Sequence, residues 1–374
     1  MFSGGMPELP DEPGKPAGGT EHKIGVGARL TGGFDSTGII MAHIPLERES
    51  MTEMRIRSDR FKIGPVDEEL CARSGALKTP IRALILLSGV VRPTRLSDGL
   101  QRSILDLPID DELTLFDLWR GHAAMLSRAL QVKGLPVRIL TNGGGGMPTS
   151  LPSDQQQNIR VEIDTDEYRG TGGLLRDLVE AYEDDDYVVL ANGNQLLVDS
   201  LAKGVLDLLA VGGDVGLVAH QDGRPAGLML IRCGALGCIS SEGFVDLKEQ
   251  ALPQMARSCE VKVLEREAPM ALPIRTREDY LCALLEFHRD RPQENSPQDP
   301  FMEEWRPVFS LAETGADVAP SARIHNSVVL RGARVEGGAT VVSSVICPGA
   351  IARSGKVITD RVLSSRNGRG GTGQ

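Results

Sequence analysis

The sequence predicts an α/β domain followed by a short parallel β-helix, and two changes of texture carry that reading. From Ile81 to Phe287, apolar runs of strand length alternate with stretches of helical spacing. That order gives a mostly parallel sheet with helices on both faces. From Val318 to Val362, aliphatic residues recur every five or six positions with small residues between them. That period is the mark of stacked hexapeptide segments. Between the two lies a Pro-, Gln- and Glu-rich stretch, residues 291–312, which reads as a linker.

In order along the first part, Ile81–Leu87 is a continuous apolar run that suits a buried parallel strand. Leu113–Leu130 has helical spacing, with Leu115, Leu118, Trp119, Ala123, Leu126 and Leu130 on one broad face. Val137–Leu140 reads as a strand and Asn142–Gly146 as a glycine loop. Thr171–Tyr182 reads as a helix, Tyr187–Ala191 as a strand and Ser200–Leu209 as a helix. Val215–Ala219 and Gly227–Ile231 follow as strands, and Arg277–Phe287 as the closing helix. The whole is a Rossmann-like domain over residues 81–290. Ahead of it, residues 1–20 read as a flexible tail, and residues 21–80 as an extension with short strands of no readable function.

In the second part, over residues 313–363, Val318, Ile324, Val329, Val335, Val341, Ile346, Ile351, Val357 and Val362 are the expected inward positions. Ala322, Ala333, Ala339, Ala350 and several Gly permit the corners between flat sides. Two to three coils are a short stack, which needs a neighbour to cover its ends, either the preceding domain or another subunit. Residues 364–374 read as a disordered tail.

Composition limits the partners. The chain has 374 residues and 41% apolar content, enough for one large or two medium domains. Its net charge of −10 gives no general attraction to nucleic acid or anionic lipid. No apolar stretch approaches the length of a membrane span, and residues 1–20 lack an apolar signal core. The six Cys (71, 233, 238, 259, 282 and 347) form no C-x-x-C pair and read as buried reduced thiols, which places the chain in the cytoplasm.

Three segments carry candidate chemistry. Ser88, Gly89, Arg92, Thr94 and Arg95 follow the first strand, where open α/β sheets bind ligands. Arg92, Arg95 and Arg102 suit phosphate recognition there, and a solvated basic loop is the alternative. Gly170-Thr171-Gly172-Gly173 opens a helix and lets backbone approach a flat or anionic ligand. A plain helix entry with Thr171 as N-cap is the alternative there. Asn192-Gly193-Asn194 ends a buried strand at the same sheet edge.

Together these segments resemble the nucleotide-sugar pyrophosphorylases, the sugar-1-phosphate nucleotidyltransferases. Members of that family carry a strand and loop of the form A-x-I-L-A-A-G-x-G-T-R-L followed by P-K. Ala83–Gly89 and Thr94-Arg95-Leu96 match it, with Gln101-Arg102 at P-K. Gly170–Leu174 is similar to the family's base-recognising G-T-A-G-A turn. Val189–Asn194 aligns with the strand ending in G-D, and Pro273–Leu281 with the D-x-G-T-x-E-D-Y-L-like segment. Many members end in a left-handed β-helix, so the resemblance spans about residues 81–363 and implies that handedness here.

The resemblance also implies a reaction: a sugar 1-phosphate attacks the α-phosphorus of a nucleoside triphosphate, and pyrophosphate leaves. The protein positions the groups and neutralises charge, with Mg²⁺ held by carboxylates and phosphates. Here the two carboxylate positions are Asn194 and Pro273, so no metal ligand is expected there. The second loop Gly is missing, and Arg102 replaces the lysine. Asp98, Asp106, Asp199 and Asp279 are the substitute carboxylates within the domain. The expectation is a protein that binds a nucleotide or nucleotide-sugar, with catalysis impaired, as a regulatory or scaffolding part of a homo- or hetero-oligomer. The alternatives are an active enzyme using Mg²⁺ through altered ligands, and a purely structural oligomerisation protein. A CoA-dependent acyltransferase built on the β-helix is disfavoured, because His325 is the only His in the repeats.

Overall fold

The computed structural model describes residues 80–89, 94–142, 148, 158–164, 169–289 and 308–365. The expectations for residues 1–79, for most of the Asn142–Gly146 loop, for Arg92, for most of the linker and for residues 366–374 lie outside these.

The first part builds a seven-stranded sheet. In chain order its strands are β1 (Ile81–Leu87), β2 (Val137–Asn142), β3 (Ile159–Asp164), β4 (Tyr187–Asn192), β6 (Val215–His220), β7 (Pro225–Arg232) and β8 (Val261–Arg266). A small side pair joins β5 (Gln195–Leu197) to β9 (Ala271–Pro273). The sheet order is β3-β2-β1-β4-β7-β6-β8. Every pairing is parallel except those of β7, which runs against β4 and β6. The reversal has a simple cause. Only Gln221–Arg224 separates β6 from β7, and a parallel connection needs a dozen residues or more.

Helices cover both faces. Ile81, Leu84 and Leu86 of β1 point to one core, shared with α2 (Leu115–Ala129), α4 (Leu201–Val211) and α6 (Arg277–His288). Ala83 and Ile85 point to the other, with α3 (Gly170–Val179) and α5 (Leu252–Ser258). A strand buried on both faces is why β1 reads as an unbroken apolar run. The short helix α1 (Arg95–Leu100) follows the first loop, capped reciprocally by Thr94 and Ser97. Among the described residues no helix is long and apolar enough to cross a membrane.

The C-terminal strands β10 to β19 lie between Leu311 and Leu363 and form three parallel sheets, β10-β13-β16-β19, β11-β14-β17 and β12-β15-β18. This is a triangular β-helix. Leu311 pairs with Val328, Val328 with Val345, and Val345 with Val362, a constant spacing of 17 residues. The irregular five-or-six interval in the sequence is therefore a strict pattern of two six-residue sides and one five-residue side. The same spacing recurs at the left-handed corners Asn326, Ser343 and Asp360, and at Gly315, Gly332 and Gly349.

One part of the expected register is corrected. In the last coil the inward residues are Ala352, Ile358 and Leu363, which pack with Val335, Val341 and Ile346. Ile351 and Val357 point outward, 50% and 70% exposed, and Val362 packs against the α/β layer instead of the coil interior. A one-residue slip along a strand exchanges its faces, and adjacent aliphatic pairs such as Ile351-Ala352 and Val357-Ile358 hide the slip in sequence.

The coil packs directly on the α/β layer. Phe309, Leu311, Val328, Val345 and Cys347 join the same core as Leu100, Leu107 and Phe287. The α/β layer thus covers one side of the stack. At Gly99 an added Cβ would lie 2.7 Å from the Cys347 sulfur and 3.3 Å from Val362, so α1 and the coil meet at backbone distance.

Free thiols occur at Cys233, Cys238, Cys259, Cys282 and Cys347. Burial pushes the Cys233 thiol up to about 11 and Cys347 to about 12. Cys282 is exposed, which corrects the expectation that the thiols are all buried.

Candidate functional site

Strand order locates the site. The chain steps from β1 to β2 and β3 on one side, then returns to β4 on the other. The crevice at the carboxyl ends of β1 and β4 is the switch point where open sheets take ligands. Leu87 and Asn192 pair in register there. Ser88 and Gly89 leave one strand, and Gly193 and Asn194 leave the other.

Hydrogen bonds tie the two exits together. The Gly193 amide donates to the Leu87 carbonyl at 2.8 Å. The Ser88 hydroxyl donates to Asn194 Oδ1 at 3.1 Å, and Asn194 Nδ2 donates to the Gly89 carbonyl at 3.3 Å. The Asn194 amide donates to Asn192 Oδ1 at 3.1 Å, and the Trp119 indole donates to the Gly193 carbonyl at 3.0 Å. Asn194 is buried, so this placement needs a side chain that both donates and accepts. An amide meets that need. A carboxylate would face the Gly89 carbonyl with no proton to give.

Asn194 and Pro273 lie one register step apart where β5 meets β9, Asn194 buried and Pro273 exposed. The Ile274 amide donates to the Asn194 carbonyl at 2.8 Å, and Pro273 pairs with Gln195 between β9 and β5. Their donor set does not suit Mg²⁺, because one position is an amide already bonded on both ends and the other is a proline ring. The substitute carboxylates are held elsewhere. Asp199 pairs with Arg266 at 2.6 Å, which removes it as a ligand reaching back to Asn194. Asp279 closes the capping box at the start of α6. Asp98 is exposed in the first turn of α1, and Asp106 lies buried in the Ile104–Asp106 turn within electrostatic reach of Arg102. Among the described residues no three His, Cys, Asp or Glu side chains gather as a metal site.

Arg102 leaves the phosphate-binding set. Its guanidinium forms a two-pronged pair with Glu313 at 2.7 Å on both arms, both side chains largely buried. It fastens the α/β layer to the first coil instead of facing the crevice.

The Gly170–Gly173 turn is occupied by protein. The Gly172 amide donates to the Val245 carbonyl at 2.9 Å, and the Val245 amide donates to Arg169 O at 2.9 Å. An added Cβ at Gly170, whose φ is +68°, would meet the Val245 carbonyl at 2.6 Å. These glycines allow the loop at Val245 to lie against the helix start. Thr171 is not the N-cap. Arg169 holds that place without a side-chain cap, and its fork pairs with Asp177.

Thr94 and Arg95 also stand apart from the crevice. They line a separate cleft of about 610 Å³ together with Leu96, Thr276, Arg277, Glu278 and residues 360–363 of the last coil. Thr94 Oγ1 donates to the Arg275 carbonyl at 3.1 Å.

Sequence reasoning missed Trp119 as part of the crevice, because it reaches the Gly193 carbonyl from α2. On the same helix the His122 ring lies edge-on to Trp119 at 6.5 Å. Burial pulls the His122 imidazole down to about 4, although Asp199 acts in the opposite sense. No family model and no curated protein matches this chain.

Proposed function

We propose that this protein is a catalytically silent relative of the sugar-1-phosphate nucleotidyltransferases, which binds a nucleotide or nucleotide-sugar at the β1–β4 crevice without turning it over. The observation that carries the reading is Asn194. It stands where the resemblance implies a metal-holding carboxylate, and both ends of its amide are bonded to Ser88 and Gly89. Phosphoryl transfer of this kind depends on positioning and charge neutralisation. Among the described residues no cluster of three His, Cys, Asp or Glu side chains could hold a metal, so the reading expects binding without a metal cradle.

The reading includes a left-handed coil, a regulatory or scaffolding role and assembly with like or unlike subunits. Arg102–Glu313 and the shared core favour a coil fixed to the α/β layer as one body. The free thiols fit a reducing compartment, in this reading the cytoplasm.

The test is calorimetric titration with nucleoside triphosphates and nucleotide-sugars, once with Mg²⁺ and once with EDTA. The reading expects saturable binding of one of them with a Kd that is the same under both conditions. Binding that requires Mg²⁺ would favour an enzyme with rearranged ligands, and no binding at all would favour a structural protein.

A further inference from the structure

Two half-buried thiols face one serine hydroxyl on the α3–α5 side of the sheet. Cys238 ends the turn Cys233–Cys238 that follows β7, and Cys259 caps the end of α5. Both pack against the core beneath these elements. Gln254 Nε2 donates to the Cys238 carbonyl, so one face of α5 is laid across the turn. Ser258 lies four residues further along that face. Its hydroxyl is 3.7 Å from the Cys259 sulfur and also hydrogen-bonds the Cys238 thiol. One oxygen atom therefore touches both sulfurs, which makes them near neighbours on two different elements.

The segment between the two thiols covers the glycine turn at the start of α3. It carries Val245, whose carbonyl accepts from the Gly172 amide at 2.9 Å, then the π-helical turn Leu247–Ala251 and α5 itself. The other described thiols are placed differently. Cys233 is buried and pushed up to about 11, which keeps it protonated. Cys282 lies on α6, and Cys347 lies against Gly99 of α1.

We propose that Cys238 and Cys259 are a peroxide-sensitive dithiol, which closes to an intrachain disulfide and ties down the segment covering the start of α3. The Cys259 thiolate attacks one oxygen of hydrogen peroxide, the O–O bond breaks, and a sulfenic acid and hydroxide result. The Cys238 sulfur then displaces the sulfenic hydroxyl, and the Cys238 proton leaves with it as water. The hydroxide takes up the proton that Cys259 released, so two thiols are oxidised and one peroxide is reduced to two waters. Cys238 is the second to react because its thiol donates to the Ala235 carbonyl at 3.2 Å and burial raises it above the ordinary thiol value. A closed loop has fewer open states, so the cover on Gly172 opens less often.

The test exposes the full chain to hydrogen peroxide, alkylates the remaining thiols and separates tryptic peptides without reductant. The expected product is peptide 233–248 linked to peptide 258–262 in a chain that runs as a monomer on a non-reducing gel, with dithiothreitol restoring both peptides. This readout needs no variant. Cys238→Ser and Cys259→Ser each abolish the linked pair, while Cys233→Ala and Cys282→Ser keep it. In the oxidised parent, hydrogen exchange of the Gly172 amide slows by about tenfold or more, and reduction reverses it. The proposal is overturned by a linked pair that persists in Cys238→Ser, which assigns the bond to Cys233, or by linkage only between chains. Sulfinic acid at Cys259 without a linked pair, or unchanged Gly172 exchange, overturns it equally.

Discussion

The Ser88 hydroxyl donates to Asn194 Oδ1 across 3.1 Å, joining residues 106 positions apart at the ends of β1 and β4. With Asn194 Nδ2 on the Gly89 carbonyl, the amide acts as a clamp at the mouth of the sheet. The residue that would mark a metal site by position is a structural tie by contact.

Asn194→Asp therefore does not restore an enzyme. The new carboxylate loses the bond to Gly89 and is buried beside a carbonyl, which costs about 1–3 kcal/mol. Pro273 still provides no second ligand. Urea denaturation is expected to show the loss of stability, and a pyrophosphate assay with Mg²⁺ to stay at the blank.

Glu313→Gln is expected to destabilise the protein by about 3–5 kcal/mol, because it removes the paired carboxylate from a largely buried guanidinium and leaves only Asp106 in electrostatic reach. Replacing both partners, Arg102→Met with Glu313→Leu, recovers most of that loss. Burial pushes the Glu313 carboxyl up, and the Arg102 fork outweighs it, so its pKa lies below the usual value. The stabilisation is present above the ordinary glutamate range near pH 4.3 and is lost as pH falls through the folded value. Acid titration of the melting temperature in parent and double variant checks this.

The corrected coil register separates two neighbouring substitutions. Ile346→Ala opens a cavity inside the coil and is expected to cost about 2–5 kcal/mol. Ile351→Ala changes an outward side chain and stays within about 0.5 kcal/mol. Equal losses in chemical denaturation contradict the assigned faces.

His122 gives a pH signature at milder acidity. Its imidazole titrates near 4 when folded, and an unfolded histidine near 6.5. Between those values the unfolded chain binds a proton that the folded chain does not. Stability falls as pH drops through that window, at on the order of 1 kcal/mol per pH unit. His122→Leu flattens the slope, and urea midpoints measured from pH 7 to pH 5 show whether it does.

Much of the fold was legible where burial is one-sided or complete. The Ile81–Leu87 run announced a doubly covered strand, and the Leu115–Leu126 stripe announced α2. Edge strands were not legible. β3 and β8 mix apolar with charged residues over only six positions each, and nothing local shows that they extend a sheet. The reversed direction of β7 was implicit in the four residues before it. The site was legible in position only. The glycines at 170 and 172 signalled close backbone approach correctly, but the approaching group is the Val245 carbonyl, which no local pattern names. Arg102 was legible only as a phosphate-binding cation or part of a solvated basic loop, and its partner Glu313 lies 211 residues away, beyond any motif.

The central claim, binding without turnover, is tested most directly by phosphorus-31 NMR of the protein with a nucleoside triphosphate, a sugar 1-phosphate and Mg²⁺, run across a panel of bases and sugars. The account predicts that no pyrophosphate accumulates above the protein-free blank with any pair. Sustained, protein-dependent growth of pyrophosphate and nucleotide-sugar signals with even one pair contradicts it.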